Sequence, residues 1–279
     1  MHRVAVLGAG GCVGRGIVKT LVDSGVSVVA VRRHGSDPLP NCELLSLDLR
    51  AADSAESLVR TGVRTIISAA PIFAISKSLA RLKDREGIRI VVCSSMSAVA
   101  KADSPSRLDR EMAASLLRAE TEVLGSCSNT VLVRPTMIYG HPATRNVASM
   151  QRFARRRGWL VAPCCAMGGR QPIHFQDVVE ALIAAAAVGV PRSTYPIGGG
   201  ERLCVLDLLA RVAEIECARL VRVPCPRAAI AGKLACFLGA DRLGGIVYRT
   251  GQDQFADNTL AARDLAFCPR MFNPLAAEA

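Results

Sequence analysis

Arg3-Val-Ala-Val-Leu-Gly8-Ala-Gly10-Gly11-Cys12-Val13-Gly14 begins a 33-residue stretch from which the rest of the chain can be read. A short apolar run with β-branched residues leads into a glycine turn. Val13, Ile17 and Leu21 follow at helical spacing, and Gly25 sits where that helix would end. A second apolar run, Val26 to Val31, stops at Arg32-Arg33. The order strand, turn, helix, strand makes one βαβ unit. Gly8, Gly11 and Gly14 fit G-x-x-G-x-x-G, a spacing with three positions lacking a side chain. One makes the tight turn, one lets the backbone approach a pyrophosphate, and one packs the helix on the strand. With Cys12 and Val13, the helix start offers free N–H groups and a positive dipole end to phosphates. The bland alternative is a glycine-rich βα turn without a ligand.

The end of the second strand bears on cofactor choice. An Asp or Glu there would hold a ribose 2′-hydroxyl. This chain has Arg32 and Arg33 instead. Guanidinium groups suit a 2′-phosphate, so NADP(H) is expected over NAD(H). Strand alternation lets one of the two face the cofactor; the alternative is a solvated basic strand end.

Strand and helix patterns then alternate. A loop over Asp37 to Asn41 holds Pro38 and Pro40. Strands are predicted over Glu43–Leu49, Val63–Ala70, Ile88–Ser95 and Thr130–Val133, with helices over Asp53–Thr61, Ile72–Glu86 and Leu108–Gly125. Ala69 and Ala70 end the fourth strand on small side chains, against which a cofactor ribose can lie. Alternation of this kind implies an α/β fold, a Rossmann-type doubly wound parallel sheet with right-handed crossovers. Residues 1–140 form the expected dinucleotide-binding domain. Residues 141–279 form mainly a small substrate-binding lobe, with segments around 170–200 returning to the core. Residues 141–176 read as basic and loop-rich, followed by a helix over Asp177–Val188, a short strand over Thr194–Ile197, a helix over Val205–Ala218 and one further helix. Substrate would enter the crevice at the strand ends.

The chain's 279 residues, half of them hydrophobic, provide a sizeable core, and its charge of +11 attracts anions. Aromatic residues make up only 4%, which argues against a base-stacking nucleic-acid surface. The 11 cysteines show no C-x-x-C or Cys/His spacing, so no metal site is expected. Most sit in apolar runs and fit a reducing cytoplasm; Cys164-Cys165 is a vicinal pair open to packing or redox use. The first residues read directly as a strand, so no secretory signal is expected, and no apolar run reaches membrane-spanning length. Ala228 to Ala240 is apolar but short and broken by Lys233; Arg227 and Arg242 flank it and allow a peripheral membrane contact.

Several points along the chain together resemble the extended short-chain dehydrogenase/reductases, which include the NAD-dependent epimerase/dehydratases of nucleotide sugars. Asp48-Leu49 is similar to the family's adenine-contacting position. Cys93-Ser94-Ser95 resembles the fifth-strand end, where Ser95 falls at the active-site hydroxyl. Val133-Arg134-Pro135-Thr136-Met137-Ile138-Tyr139-Gly140 resembles the R-P-x-x-x-Y-G segment, which puts Pro135 beside the nicotinamide. Arg170-Gln-Pro-Ile-His174-Phe-Gln-Asp177 resembles R-x-x-x-H-V-x-D, whose Arg often touches a substrate diphosphate. Tyr195 to Gly200, Phe255 to Asn258 and Ala266 to Arg270 resemble later family segments. The resemblance implies an oxidoreductase or epimerase using a nicotinamide cofactor on a small anionic substrate such as a nucleotide sugar. The alternative is a non-catalytic NADP(H)-binding sensor or assembly subunit.

One departure stands out. The family's Y-x-x-x-K pair belongs on the helix after the fifth strand, and Arg110 to Glu122 holds neither Tyr nor Lys. If Glu122 takes the place of the family's later Glu, Arg118 falls at the Lys position, where it could hold ribose, and Ala114 at the Tyr position. Arginine cannot yield a proton at neutral pH. Ser95 and Tyr139 are then the candidate catalytic groups, with Arg170 and His174 as candidate substrate contacts. For Tyr139 and His174 a structural role is the alternative, for Ser95 a bond to the backbone alone, and for Arg170 a solvated surface position.

Overall fold

The structure is a computed structural model that describes residues 3–33, 39, 41–51, 53–82, 87–187, 189, 193–225 and 227–274. Most of the proline loop over 37–41, residues 83–86 of the third expected helix and residue 188 lie outside these.

The chain runs β1 (Val4–Leu7), α1 (Cys12–Asp23), β2 (Val28–Arg32), β3 (Glu43–Ser46), α2 (Ser54–Arg60), β4 (Thr65–Ser68), α3 (Ile72–Ala80) and β5 (Arg89–Cys93). It continues through α4 (Ser97–Ala100), α5 (Arg107–Leu124), β6 (Thr130–Pro135), β7 (Ile138–Tyr139), α6 (Asn146–Arg157) and β8 (Trp159–Pro163). Next come β9 (Gly169–Arg170), β10 (Ile173–His174), α7 (Phe175–Ala185), β11 (Thr194–Ile197), β12 (Leu203–Cys204) and α8 (Val205–Ile215). The last elements are β13 (Arg219–Val223), α9 (Ala228–Phe237), α10 (Asp241–Thr250) and α11 (Thr259–Leu265).

Seven strands form one sheet in the order β11-β6-β5-β4-β1-β2-β3, every pairing parallel. Alternate residues of β1 feed opposite cores, as the pleat requires. Val4 and Val6 join Ile17, Leu21, Val178 and Leu182 beneath α1 and α7. Ala5 and Leu7 join Leu58, Ile75, Leu79 and Leu116 beneath α2, α3 and α5. Helices on both faces make the fold doubly wound. The strand order reverses between β1 and β4, and this switch point places a crevice at the C-terminal ends of the strands.

A third core, around Leu160, Val205, Leu208, Val212 and Phe272, belongs to the smaller lobe. The sequence reading expected loops over 141–176, yet α6 and β8 lie there. Val147, Ala148 and Ala154 make a buried stripe on α6, and Gly158, left-handed at φ 73°, ends it. The arginine run occupies the opposite face, where its charge masks the helical period in the sequence. Beyond Val223 the described residues form three helices, not one.

Candidate functional site

The glycine turn joins β1 to α1 at the C-terminal edge of the sheet. Gly8 takes φ +76°, and both its N–H and that of Ala9 donate to the Val31 carbonyl (3.1 Å each). A Cβ on Gly8 would stand 2.7 Å from the Ala70 nitrogen, so the turn touches the chain leaving β4. A Cβ on Gly14 would stand 2.2 Å from the Gly8 carbonyl oxygen, which is what lets α1 lie close on the strand. Gly11 caps α1 with no side chain taking its first N–H groups, and a Cβ there would meet only the Gly8 oxygen at 3.6 Å. Gly11 therefore adjoins open space at the positive end of a 12-residue helix. Burial pushes the Cys12 thiol up, which keeps it a neutral packing residue.

Arg32, half-buried, closes β2, and Arg33 follows it, exposed, its carbonyl accepting from Ser46 Oγ (2.6 Å). Asp48 is exposed and accepts from the Arg50 N–H (3.0 Å), while Leu49 is buried beside it. The Ala69 N–H donates to Leu7 (2.9 Å), tying β4 to β1 beside the turn. The turn, Arg32, Asp48 and Ala69 thus lie along one edge, at the C-terminal ends of β1 to β4.

Farther along that edge a cleft of about 410 Å³ opens where β5 and β6 end. Ser95, Lys101, Pro135, Thr136, Arg170, Gln171, Arg249 and Gln254 line it, with Met150, Leu208 and Ile246 as apolar walls. Ser95 Oγ accepts from the N–H of Ser97, the first residue of α4 (3.1 Å).

The model of the NAD dependent epimerase/dehydratase family matches residues 4–198. The chain belongs to this family. MoeE5, solved with UDP-glucose and NAD, superposes with a TM-score of 0.69 at 22% identity, covering 99% of this chain and 96% of its own. UDP-N-acetylglucosamine 4-epimerase from Bacillus cereus gives 0.69 at 17% identity over 99% and 96%. TunA, an NAD-dependent NDP-hexosamine 5,6-dehydratase, gives 0.69 at 19% identity over 99% and 95%. At these identities the likeness is one of fold. No curated protein sequence matches the chain.

Against the family's usual apparatus, the structure moves several expected site residues. Arg118 is exposed on α5, two positions from Glu120, which is 2% exposed. Two helical steps turn a side chain by about 200°, so Arg118 lies on the face opposite the sheet. Glu120 rather than Glu122 is the inward acid: it accepts from Ser94 Oγ and from Arg134 Nε (2.8 Å) and Nη2. With Glu120 in that place, Leu116 and Met112 take the positions given to Arg118 and Ala114. Arg118 is not among the residues that line the cleft.

Tyr139 is also corrected. It is buried outside the cleft lining, donates to the Met271 carbonyl (3.2 Å) and accepts from the Asn273 N–H (3.2 Å). Burial pushes its phenol up, away from use as an acid near neutral pH. His174 lies outside the lining too. Its Nδ1 accepts from the Gln176 N–H (3.3 Å) as the N-cap of α7, and its ring packs edge-on against Tyr139. Arg170 does face the cleft, but its guanidinium donates to the carbonyls of Gly169 (2.7 Å), Gln252 (2.8 Å) and Arg249 (2.6 Å). Burial lowers it to about 10. Its bonds hold the 249–252 segment against the lobe.

Lys101 is the group the sequence reading missed. It closes α4, lines the cleft, and its Nζ lies 3.0 Å from Asp109 Oδ1. Arg249 bonds the other carboxylate oxygen, Oδ2, which also accepts from Ser104 Oγ (3.1 Å). Burial, then the Arg249 charge, hold Lys101 below the ordinary lysine value. The available signal was the spacing of Asp109, Ala113, Leu116 and Glu120, which marks the inward stripe of α5. Among the described residues no helix is long and apolar enough to cross a membrane.

Proposed function

We propose that the chain is an NAD(P)-dependent oxidoreductase or epimerase acting on a nucleotide sugar or similar anionic substrate, with NADP(H) preferred and Lys101 as its acid/base group. The reading rests on family membership and on one observation: the cleft at the ends of β5 and β6, on the same sheet edge as the glycine turn, contains a titratable amine. The relatives named above hold or act on sugar nucleotides, and two of their names include NAD.

The residues along the edge fit a dinucleotide. Gly11 and the N–H groups of Cys12, Val13 and Gly14 would hold the pyrophosphate, Arg32 or Arg33 a 2′-phosphate, Asp48 and Leu49 the adenine, and Ala69 and Ala70 the ribose. A bound nicotinamide supplies hydride transfer. The proton is left to the chain. Asp109 is one carboxylate shared by two cations, and Arg249 stays charged, so the proton that can leave is the one on Lys101. Neutral Lys101 takes the proton of a substrate hydroxyl as that carbon is oxidised, and the resulting ammonium gives it back on reduction. Ser95 Oγ, in the same lining, donates a hydrogen bond to that oxygen.

The test is turnover of UDP- and dTDP-hexoses by wild type, Lys101→Met and Lys101→Arg. The arginine variant keeps a cation beside Asp109 but cannot release a proton. Loss of turnover in both, with cofactor binding intact, supports the reading; full activity in Lys101→Arg overturns the role of Lys101. A second reading, a non-catalytic NADP(H) sensor, is favoured by Met112 and Leu116 at the positions of the usual pair. It is the conclusion if tightly held dinucleotide co-purifies and no sugar nucleotide is turned over.

A further inference from the structure

The α9–α10 hairpin carries an exposed apolar face for which the catalytic reading has no use. Ile230, Leu234 and Phe237 on α9, with Leu238 at its C-cap, point outward at intervals of four, three and one, Phe237 being 87% and Leu238 71% exposed. Leu243 and Ile246 on α10 are exposed as well. The cause lies in the seam between the helices. A Cβ on Gly232 would stand 2.6 Å from the Tyr248 nitrogen, and one on Gly244 2.6 Å from the Gly232 carbonyl oxygen. Glycines hold the two backbones in close contact, so the seam has no room for bulky side chains. The large apolar residues are left on the outside. Such a patch on a folded chain marks an interaction surface.

Charge indicates the partner. From Arg219 to Arg249 the chain has Arg219, Arg222, Arg227, Lys233, Arg242 and Arg249, against one acid, Asp241. That acid is turned inward: its carboxylate accepts from Ser106 Oγ (2.8 Å) and from the N–H groups of Arg107 (2.9 Å) and Leu108 (3.1 Å). Arg249 is also inward, on Asp109. Arg227, Lys233 and Arg242 are exposed and flank the apolar face.

We propose that this hairpin seats the protein on an anionic bilayer, with Ile230, Leu234, Phe237 and Leu238 among the acyl chains and Arg227, Lys233 and Arg242 at the headgroups. An α-helix of ten residues is about 15 Å long, half the hydrocarbon thickness, so α9 lies along the surface rather than crossing it. Apolar residues bordered by cations make the arrangement of an interfacial helix, and each juxtamembrane cation strengthens the hold on an acidic leaflet. A second copy fits less well, because twofold packing would bring each copy's cations against the other's. Ile246 belongs to both the apolar face and the cleft wall, so the seated protein has its cleft mouth near the lipid surface.

The test is co-sedimentation of the full chain with phosphatidylcholine vesicles, with and without about 30% phosphatidylserine. Binding is expected to be at least about tenfold stronger to the acidic vesicles and to weaken in roughly 0.5 M salt, where screening is short-ranged. Phe237→Asp with Leu238→Asp, at exposed positions that should not disturb folding, is expected to lower binding by at least about tenfold. Lys233→Glu with Arg242→Glu should erase the preference for acidic lipid. Three results overturn the proposal: no binding to either vesicle, binding indifferent to the aspartates, or a stable dimer that those aspartates dissociate. None depends on whether the cleft turns over a sugar nucleotide.

Discussion

The glycine turn and the inward face of α5 lie along the same sheet edge but work on different principles. The turn acts through backbone: N–H groups, a left-handed glycine and two places where a Cβ does not fit. The helix face acts through side chains, and a slip of two residues moves a group to the far side. In the proposed reading the turn holds the dinucleotide, and Lys101 at the end of the neighbouring α4 does the work of the Tyr and Lys that the helix face lacks. On that reading the cofactor geometry is kept while the acid/base group moves to another element.

The largest expected effect lies on the side-chain half. Lys101→Met should lower turnover by about 10²–10⁴, what a positioned acid/base group typically supplies, with dinucleotide affinity unchanged. The wild-type rate should rise with pH as Lys101 loses its proton and level off below the usual lysine value of about 10.4. A rate flat across that range removes Lys101 from the mechanism.

Next comes the backbone half. Gly14→Ala drives a Cβ into the Gly8 carbonyl, which ordinary side-chain shifts cannot relieve. A destabilisation of about 3 kcal/mol is expected, read as a lower urea midpoint. Gly11→Val should fold normally and lose NADPH binding, because its side chain meets little protein and fills the pyrophosphate space. Normal fluorescence titration in that folded variant would misplace the phosphate site.

Cofactor choice is a smaller effect. NADPH should bind about tenfold more tightly than NADH, roughly 1.4 kcal/mol, and Arg32→Ala with Arg33→Ala should equalise them. Equal affinities in the wild type, by calorimetry, would reject the assignment.

Tyr139→Phe separates the two halves most gently. It removes two hydrogen bonds to residues 271–273 and should cost about 1 kcal/mol of stability with turnover retained. Acid should act on the hairpin instead. The Leu108 N–H, with Ser106 and Arg107, holds the Asp241 carboxyl below its usual value. Its contribution is therefore present above about pH 4 and lost as pH falls through the depressed value. Hydrogen exchange at α10 should speed up over that descent and not above it.

The turn was legible because its signal is local: glycine spacing between an apolar run and a helical one. The parallel sheet followed from the same alternation. Tyr139, His174 and Arg170 were not legible in the same way, since motif resemblance fixes a position in the sequence but not what the side chain bonds there. Tyr139 finds a backbone partner 132 residues away, and Arg170 finds one 82 away. Lys101 was hidden for the same reason. Nothing near it in sequence announces Arg249, the cation that shares its carboxylate across the cleft.

The most direct measurement is a single turnover. Protein loaded with NADP⁺ is mixed with a UDP- or dTDP-hexose panel while nicotinamide reduction is followed, for wild type and Lys101→Arg. The account predicts reduction in the wild type with at least one sugar nucleotide and none in Lys101→Arg at equal cofactor occupancy. Equal reduction in both proteins would contradict it.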